Sequence, residues 1–320
     1  MSSPVIAGSS APAPRYEPVP RWAKVPHGVT FRAGANAVAV DADDQVFVFN
    51  RGSDPVAVFD RDGNFLDSWG HDEFANPHGI TIGPGGDLFL IDDRAHFVQR
   101  RSPEGKLLLT LGTPGHSAEA QSGVPFNRPT DVAVSGAGDI FVTDGYRNSR
   151  VHRFAADGTL LGGWGEPGSE PGQFSLPHGI CWTASGALAV CDRENHRVQL
   201  FSTDGSFLDA WPLHRPAAIA SRPGDPYLYV AELGPQGSQR VVPNIGLKVR
   251  VVDEGGRVVS TFGDGTLGEG PRQFIAPHGI AVDSRGDVYV AEVSALSMKA
   301  HDGITSLGET VSLRKWRRTN

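Results

Sequence analysis

Three histidines, His78, His178 and His278, stand in identical Pro-His-Gly-Ile segments at residues 77–80, 177–180 and 277–280. Each is followed at the same interval by an acid, Asp92, Asp192 or Glu292. Neutral imidazole is the commonest side-chain metal ligand, and three of them with a fourth position left open is the plan of a catalytic zinc site. Three further residues fall at the ends of equivalent apolar runs: Arg51 after Phe49-Asn50, Tyr146 after Asp144-Gly145, and Arg193 after Cys191-Asp192. Two guanidiniums beside a metal suit an anionic substrate, because arginine pairs with carboxylate through two parallel hydrogen bonds. A tyrosine flanked by such cations is a candidate general base.

These residues converge only if the chain repeats, and it does. The segment GPGGDLFLID links the first histidine motif to Asp92, TASGALAVCD links the second to Asp192, and DSRGDVYVAE links the third to Glu292. Two more segments keep the spacing without histidine, from Asn36 to Asn50 and from Thr130 to Asp144, and one from Ala217 to Glu232 is a residue longer. Each unit continues with a second apolar pair around a short Gly-containing turn, at Asp62-Gly63, Glu104-Gly105, Asp157-Gly158, Asp204-Gly205 and Gly255-Gly256. Four short strands per unit and six units of about 48 residues predict an all-β, six-bladed β-propeller, with blades packed around a central channel.

In that fold the first strand of each blade is innermost, so His78, His178 and His278 face the channel from the second, fourth and sixth blades, roughly 120° apart. Asn36, Thr130 and Ala217 hold the intervening positions and are poor zinc ligands. A histidine at this place could instead bond only a neighbouring carbonyl. Alternation argues against that, since a purely local role would not confine histidine to every second blade. The last unit lacks a fourth strand, and RWAKV (21–25) is the expected replacement, so that the amino terminus closes the ring. Residues 1–17, rich in Pro, Ser and Ala, are then a disordered tail, and 18–320 one propeller domain.

Composition excludes several functions. The net charge is −7, which argues against a nucleic-acid partner, since phosphate binding needs a basic face. No run approaches the roughly 18 apolar residues of a membrane span, and the first residues carry no basic, apolar leader pattern. Cys181 and Cys191 are too few for a disulfide framework and read as buried thiols, which fits a reducing, cytoplasmic setting. No Walker loop, H-E-x-x-H or G-x-S-x-G motif occurs. The oligomeric state is open.

The repeats resemble NHL repeats, and the run from about Val38 to Val290 resembles the lyase domain of the peptidylglycine α-amidating enzyme. The matching segments are Arg51-Gly52, Asn76-Pro77-His78, Leu176-Pro177-His178, Pro129-Thr130-Asp131-Val132-Ala133-Val134, Asp144-Gly145-Tyr146 with Asn148-Ser149-Arg150, and Asp192-Arg193-Glu194-Asn195. The resemblance implies zinc on His78, His178 and His278, a catalytic Tyr146, and active-site arginines at Arg51 and Arg193. It also implies a calcium ion held by the backbone carbonyls of Val38 and Ile80 with an aspartate after the third histidine. Gly279 stands at that point, which places calcium in doubt. The family's half-cystines correspond to Asn127, Arg147, Ala189 and Leu200, and its active-site methionine to Ala276. The implied reaction is cleavage of the C–N bond of an N-acyl α-hydroxyglycine, a small molecule or peptide bearing a carboxylate, to an amide and glyoxylate. Two rivals stand beside it. One is a metal-dependent lactone or ester hydrolase on the same scaffold, although the calcium lactonases that such propellers resemble use carboxylate and asparagine ligands. The other is a non-catalytic NHL interaction scaffold.

Overall fold

A computed structural model describes residues 12–31, 34–236, 239, 242, 245–294 and 311–320. Its strands form six four-stranded antiparallel sheets, arranged as six blades. The innermost strands are Ala35–Val40, Pro77–Ile82, Asp131–Val134, Pro177–Trp182, Pro216–Ser221 and Pro277–Val282. The chain is therefore an all-β six-bladed propeller, as its periodicity predicts.

There is no single core. Six apolar clusters each straddle one seam between neighbouring blades. Every second strand is buried along its whole length, as in Val46–Asn50 and Leu88–Asp92. The pleat explains why. In the first blade Val46 and Val48 pack toward the sixth blade, while Phe47 and Phe49 pack toward the second. Alternate side chains of one strand thus serve two different seams, so both parities must be apolar. The predicted hairpin turns place Gly63, Gly105, Gly158, Gly205 and Gly256 at positive φ, the backbone region glycine enters without steric cost.

Ring closure departs from expectation in its register. The fourth strand of the sixth blade is Tyr16–Val19, paired with Leu313–Arg318 from Tyr16↔Arg318 to Val19↔Lys315. RWAKV (21–25) is not that strand. Pro20 and Arg21, the latter with φ of 54°, turn the chain away, and Lys24 then bridges to Asn64 of the first blade. Trp22 fills the seam instead: its indole N–H donates to the Arg61 carbonyl at 2.8 Å, and its ring meets Phe59 and Tyr289. Of the expected tail, residues 1–11 lie outside the described residues, and Tyr16 and Glu17 belong to the closing strand. Tyr16 is 7% exposed, with its ring 4.7 Å from that of Phe262. Charges complete the lock, since Arg61 of the first blade binds Asp283 and Asp287 of the sixth, each at 2.8 Å.

Replacing Tyr16 by alanine removes an aromatic from the last seam and is expected to cost about 3 kcal/mol, whereas Glu17→Ala on the same strand changes stability by about 0.5 kcal/mol or less. Denaturant midpoints check this. Equal, small effects for both would show that this strand does not close the ring.

Candidate metal centre

The three histidines meet on the propeller axis. Their ring centroids stand 4.8–5.0 Å apart, and one ring nitrogen from each lies within 4.8 Å of the others. Two features of the repeat place them. First, the acid that ends each second strand accepts backbone N–H groups from the loop leading to the histidine: Asp92 from Ala75 and Asn76, Asp192 from Ser175, and Glu292 from Ile275 and Ala276. Second, the glycine after each histidine lets the next blade approach. A methyl group built on Gly79 would come within 2.8 Å of the Thr130 oxygen, on Gly179 within 2.9 Å of the Ala218 Cα, and on Gly279 within 2.6 Å of the Ala37 Cα.

That approach sets the tautomer. His78 Nδ1 lies 2.7 Å from the Thr130 carbonyl, His178 Nδ1 2.6 Å from that of Ala217, and His278 Nδ1 2.9 Å from that of Asn36. A carbonyl can only accept, so each Nδ1 carries the proton and each Nε2 presents a lone pair. The three acceptors are the intervening positions of the alternating pattern, so the local carbonyl bond and the axial site are two halves of one arrangement.

Tyr146 covers the triad, with its hydroxyl 2.9 Å from His78 Nε2 and 3.2 Å from His178 Nε2. A single phenolic proton cannot serve both nitrogens, and His278 Nε2 has no hydrogen-bond partner among the described residues. Three converging lone pairs share one proton, a donor set that fits a cation such as zinc. Burial, followed by the charge of Arg51, pushes the His78 pKa down to about 3. His178 and His278 are also held well below the ordinary imidazole value, mainly by burial. Neutral imidazoles are the metal-binding form.

Calcium fits less well. The implied carboxylate position is Gly279, and any side chain there would strike the Ala37 backbone. The residues present do not make the site that the family resemblance implies.

The mouth above Tyr146 is cationic. Arg193 stands 5.7 Å from the Tyr146 ring centroid and bonds Glu194 at 2.8 Å. Glu194 is shared with Arg215. Burial alone would raise the Glu194 carboxyl, but the hydrogen bonds and charges of Arg215 and Arg193 bring it down to about 2. Arg51 donates through Nε to the Pro77 carbonyl at 3.3 Å and pairs with no carboxylate among the described residues. Its burial lowers its pKa, the response of a desolvated, unneutralised cation. All six residues singled out from the sequence therefore assemble at one place.

Arg128 was missed. Its guanidinium stands 4.7 Å from the Tyr146 ring centroid and is anchored on the buried Asp93. The signal was present, because Arg128 occupies the position held by Asn76, Leu176 and Ala276 in other blades, where only it and Arg215 of the fifth blade are charged. Of the remaining histidines, His196 takes a left-handed turn before a third strand and stacks on His214, with ring centroids 4.8 Å apart.

Six four-stranded blades with an axial imidazole triad define a β-propeller carrying a metal-type donor set. The NHL repeat model matches residues 126–154 and 174–201, which cover parts of the third and fourth blades. Human NHL repeat-containing protein 3 is 31% identical over 307 residues, covering 89% of this chain and 83% of that protein. The chain belongs to this NHL-repeat family. It is also similar to peptidyl-alpha-hydroxyglycine alpha-amidating lyase 1 of Drosophila melanogaster, at 31% identity over 292 residues, covering 82% of this chain and 51% of the fly protein. A solved gluconolactonase from Xanthomonas campestris shares the fold, with a TM-score of 0.60 at 15% identity, covering 97% of this chain and 99% of that one. Among the described residues no helix is long and apolar enough to cross a membrane, and both cysteines are free thiols.

The depressed imidazole values predict acid sensitivity of the metal-free protein. A histidine neutral when folded but protonated when unfolded adds stability above its ordinary value of 6.5, and that stability is lost as pH falls below it. Replacing His178 by glutamine should therefore reduce the slope of stability against pH near pH 5 by about 1.4 kcal/mol per unit. Identical slopes would mean that His178 is not held neutral.

Proposed function

We propose that the chain is a zinc-dependent carbon–nitrogen lyase that cleaves an N-acyl α-hydroxyglycine, or a related carbinolamide, to an amide and glyoxylate. The observation that carries the reading is the meeting of three proton-free Nε2 atoms beneath Tyr146. Similarity to the fly amidating lyase supports it, although the chain spans about half of that protein's length. Zinc held by His78, His178 and His278 would supply Lewis acidity to a substrate hydroxyl oxygen.

The chain's own residues would do the rest. Arg51, which has no carboxylate partner among the described residues, and Arg193 would receive the substrate carboxylate and orient the carbinol carbon below Tyr146. Tyr146, as phenolate, would take the hydroxyl proton at Oη, with the guanidiniums of Arg128 and Arg193 beside its ring stabilising the negative charge it carries before the transfer. The O–H electron pair then forms the aldehyde C=O, and the C–N pair leaves with nitrogen, which takes up one proton. No covalent bond to the enzyme is needed. A groove of about 570 Å³ between the third and fourth blades runs from Tyr146 past Gly145, Gly168 and Asn195, and would seat the acyl or peptide portion. The two free thiols and the net charge of −7 support a reducing, cytoplasmic setting and a small-molecule or peptide partner rather than nucleic acid or membrane.

Purified protein should contain about one zinc per chain, and His178→Ala should lose it. Wild-type protein should release glyoxylate from N-benzoyl-α-hydroxyglycine. Tyr146→Phe is expected to keep zinc while turnover drops about 100-fold or more, and Arg51→Ala to act mainly on KM. Zinc-loaded protein that hydrolyses lactones and releases no glyoxylate would replace the lyase with the hydrolase. Metal-free protein without turnover would favour the scaffold.

A further inference from the structure

Below the triad, the channel widens into a cavity of about 700 Å³ that is closed at one end by the three imidazoles. Its other end opens at the turns following the inner strands, near Asp41, Pro84, Arg222 and Ser284, on the face away from Tyr146. The walls are mainly apolar, from the half-buried Val40, Ile82, Val134, Ala220 and Val282. This is the size and character of small-molecule sites.

One charged group stands directly below the axial ring. Of the six equivalent positions following the axial ring, five are glycine or alanine (Ala37, Gly79, Gly179, Ala218, Gly279), and the third blade has Asp131. Its two oxygens accept the N–H groups of Val132 at 2.9 Å and Ile180 at 3.1 Å. A carboxylate offers about four acceptor sites, so half of its capacity is unspent. No cation pairs with it among the described residues. Burial lifts its pKa to about 7, the response of a carboxylate lacking a counter-charge. At the open end, Asp41 accepts the N–H groups of Asp43 and Gln45 and likewise meets no cation, whereas Arg222 is taken up by Asp225 at 3.3 Å.

We propose that this cavity is a second ligand site, separate from the mouth that holds Tyr146, and that it takes a small organic ammonium ion: the charged head on Asp131 and the hydrocarbon against the channel wall. An inorganic cation would satisfy the carboxylate but leave the apolar walls facing water. A neutral or anionic molecule would fill the walls and leave the carboxylate unpaired. The assignment does not depend on the lyase reading, because it is tested by binding rather than turnover.

The test is calorimetric titration of the full chain with n-alkylammonium ions from butyl to octyl, alongside the matching alcohols. Affinity is expected to rise about fourfold per added methylene, and each ammonium to bind about tenfold or more tighter than its alcohol. Asp131→Asn should bring the ammonium ions down to the level of the alcohols. Ala220→Phe, which narrows the cavity while leaving Asp131 in place, should remove the dependence on chain length, so the proposal does not rest on one variant folding. Equal binding of ammonium ions and alcohols, or Asp131→Asn within twofold of wild type, would overturn it. Displacement of octylammonium by millimolar calcium would also overturn it, by assigning the carboxylate to an inorganic ion.

Discussion

The hydrogen bond from each axial imidazole to the carbonyl of the next blade is the constraint on which the site depends. It is possible only because the residue after each histidine has no Cβ, so the neighbouring inner strand can come within 2.6–2.9 Å of where one would stand. The bond spends the Nδ1 proton outward and leaves Nε2 bare on the axis. It also ties blades two to three, four to five and six to one, at Thr130, Ala217 and Asn36. One set of three bonds thus holds neighbouring blades together and aims three ligands. A site built this way is rigid without a metal, because each ring is fixed by backbone of a different blade.

Electrostatics then follow from placement. The triad is buried, and the charges nearest it belong to Arg51, Arg193 and Arg128. Burial and these guanidiniums act in the same direction and keep the imidazoles neutral. The cationic side of the axis faces Tyr146, and the other side faces a mainly apolar channel with the Asp131 carboxylate beside the ring. A propeller wall six strands around, open at both ends and plugged in the middle, separates two chemistries with a single layer of side chains.

Much of this was legible in the sequence, because the propeller writes each structural demand six times. The interval from histidine to acid is the length of one inner hairpin, and the acid recurs in every unit but the first, where Asn50 stands, because it catches N–H groups of the loop that leads into its own blade's inner strand. Alternation of histidine with Asn36, Thr130 and Ala217 mapped directly onto blade parity. Ring closure was less legible. YEPV and RWAKV are both short and amphipathic, and the choice between them was decided by where Tyr16 and Trp22 find seams to fill, which is tertiary packing. Arg128 was overlooked because its role comes from a guanidinium reaching over the Tyr146 ring, a contact that the repeat position alone does not reveal. Asp131 lay inside a quoted motif, but its isolation from any cation depends on which five residues surround the channel at its level.

The central claim is that three imidazoles from alternate blades present Nε2 to one ion. X-ray absorption at the zinc edge of the purified protein tests it most directly. The account predicts three imidazole nitrogens at about 2.0–2.1 Å, with the outer-shell scattering of histidine rings and no sulfur. A spectrum dominated by sulfur, or by oxygen without imidazole scattering, would contradict it.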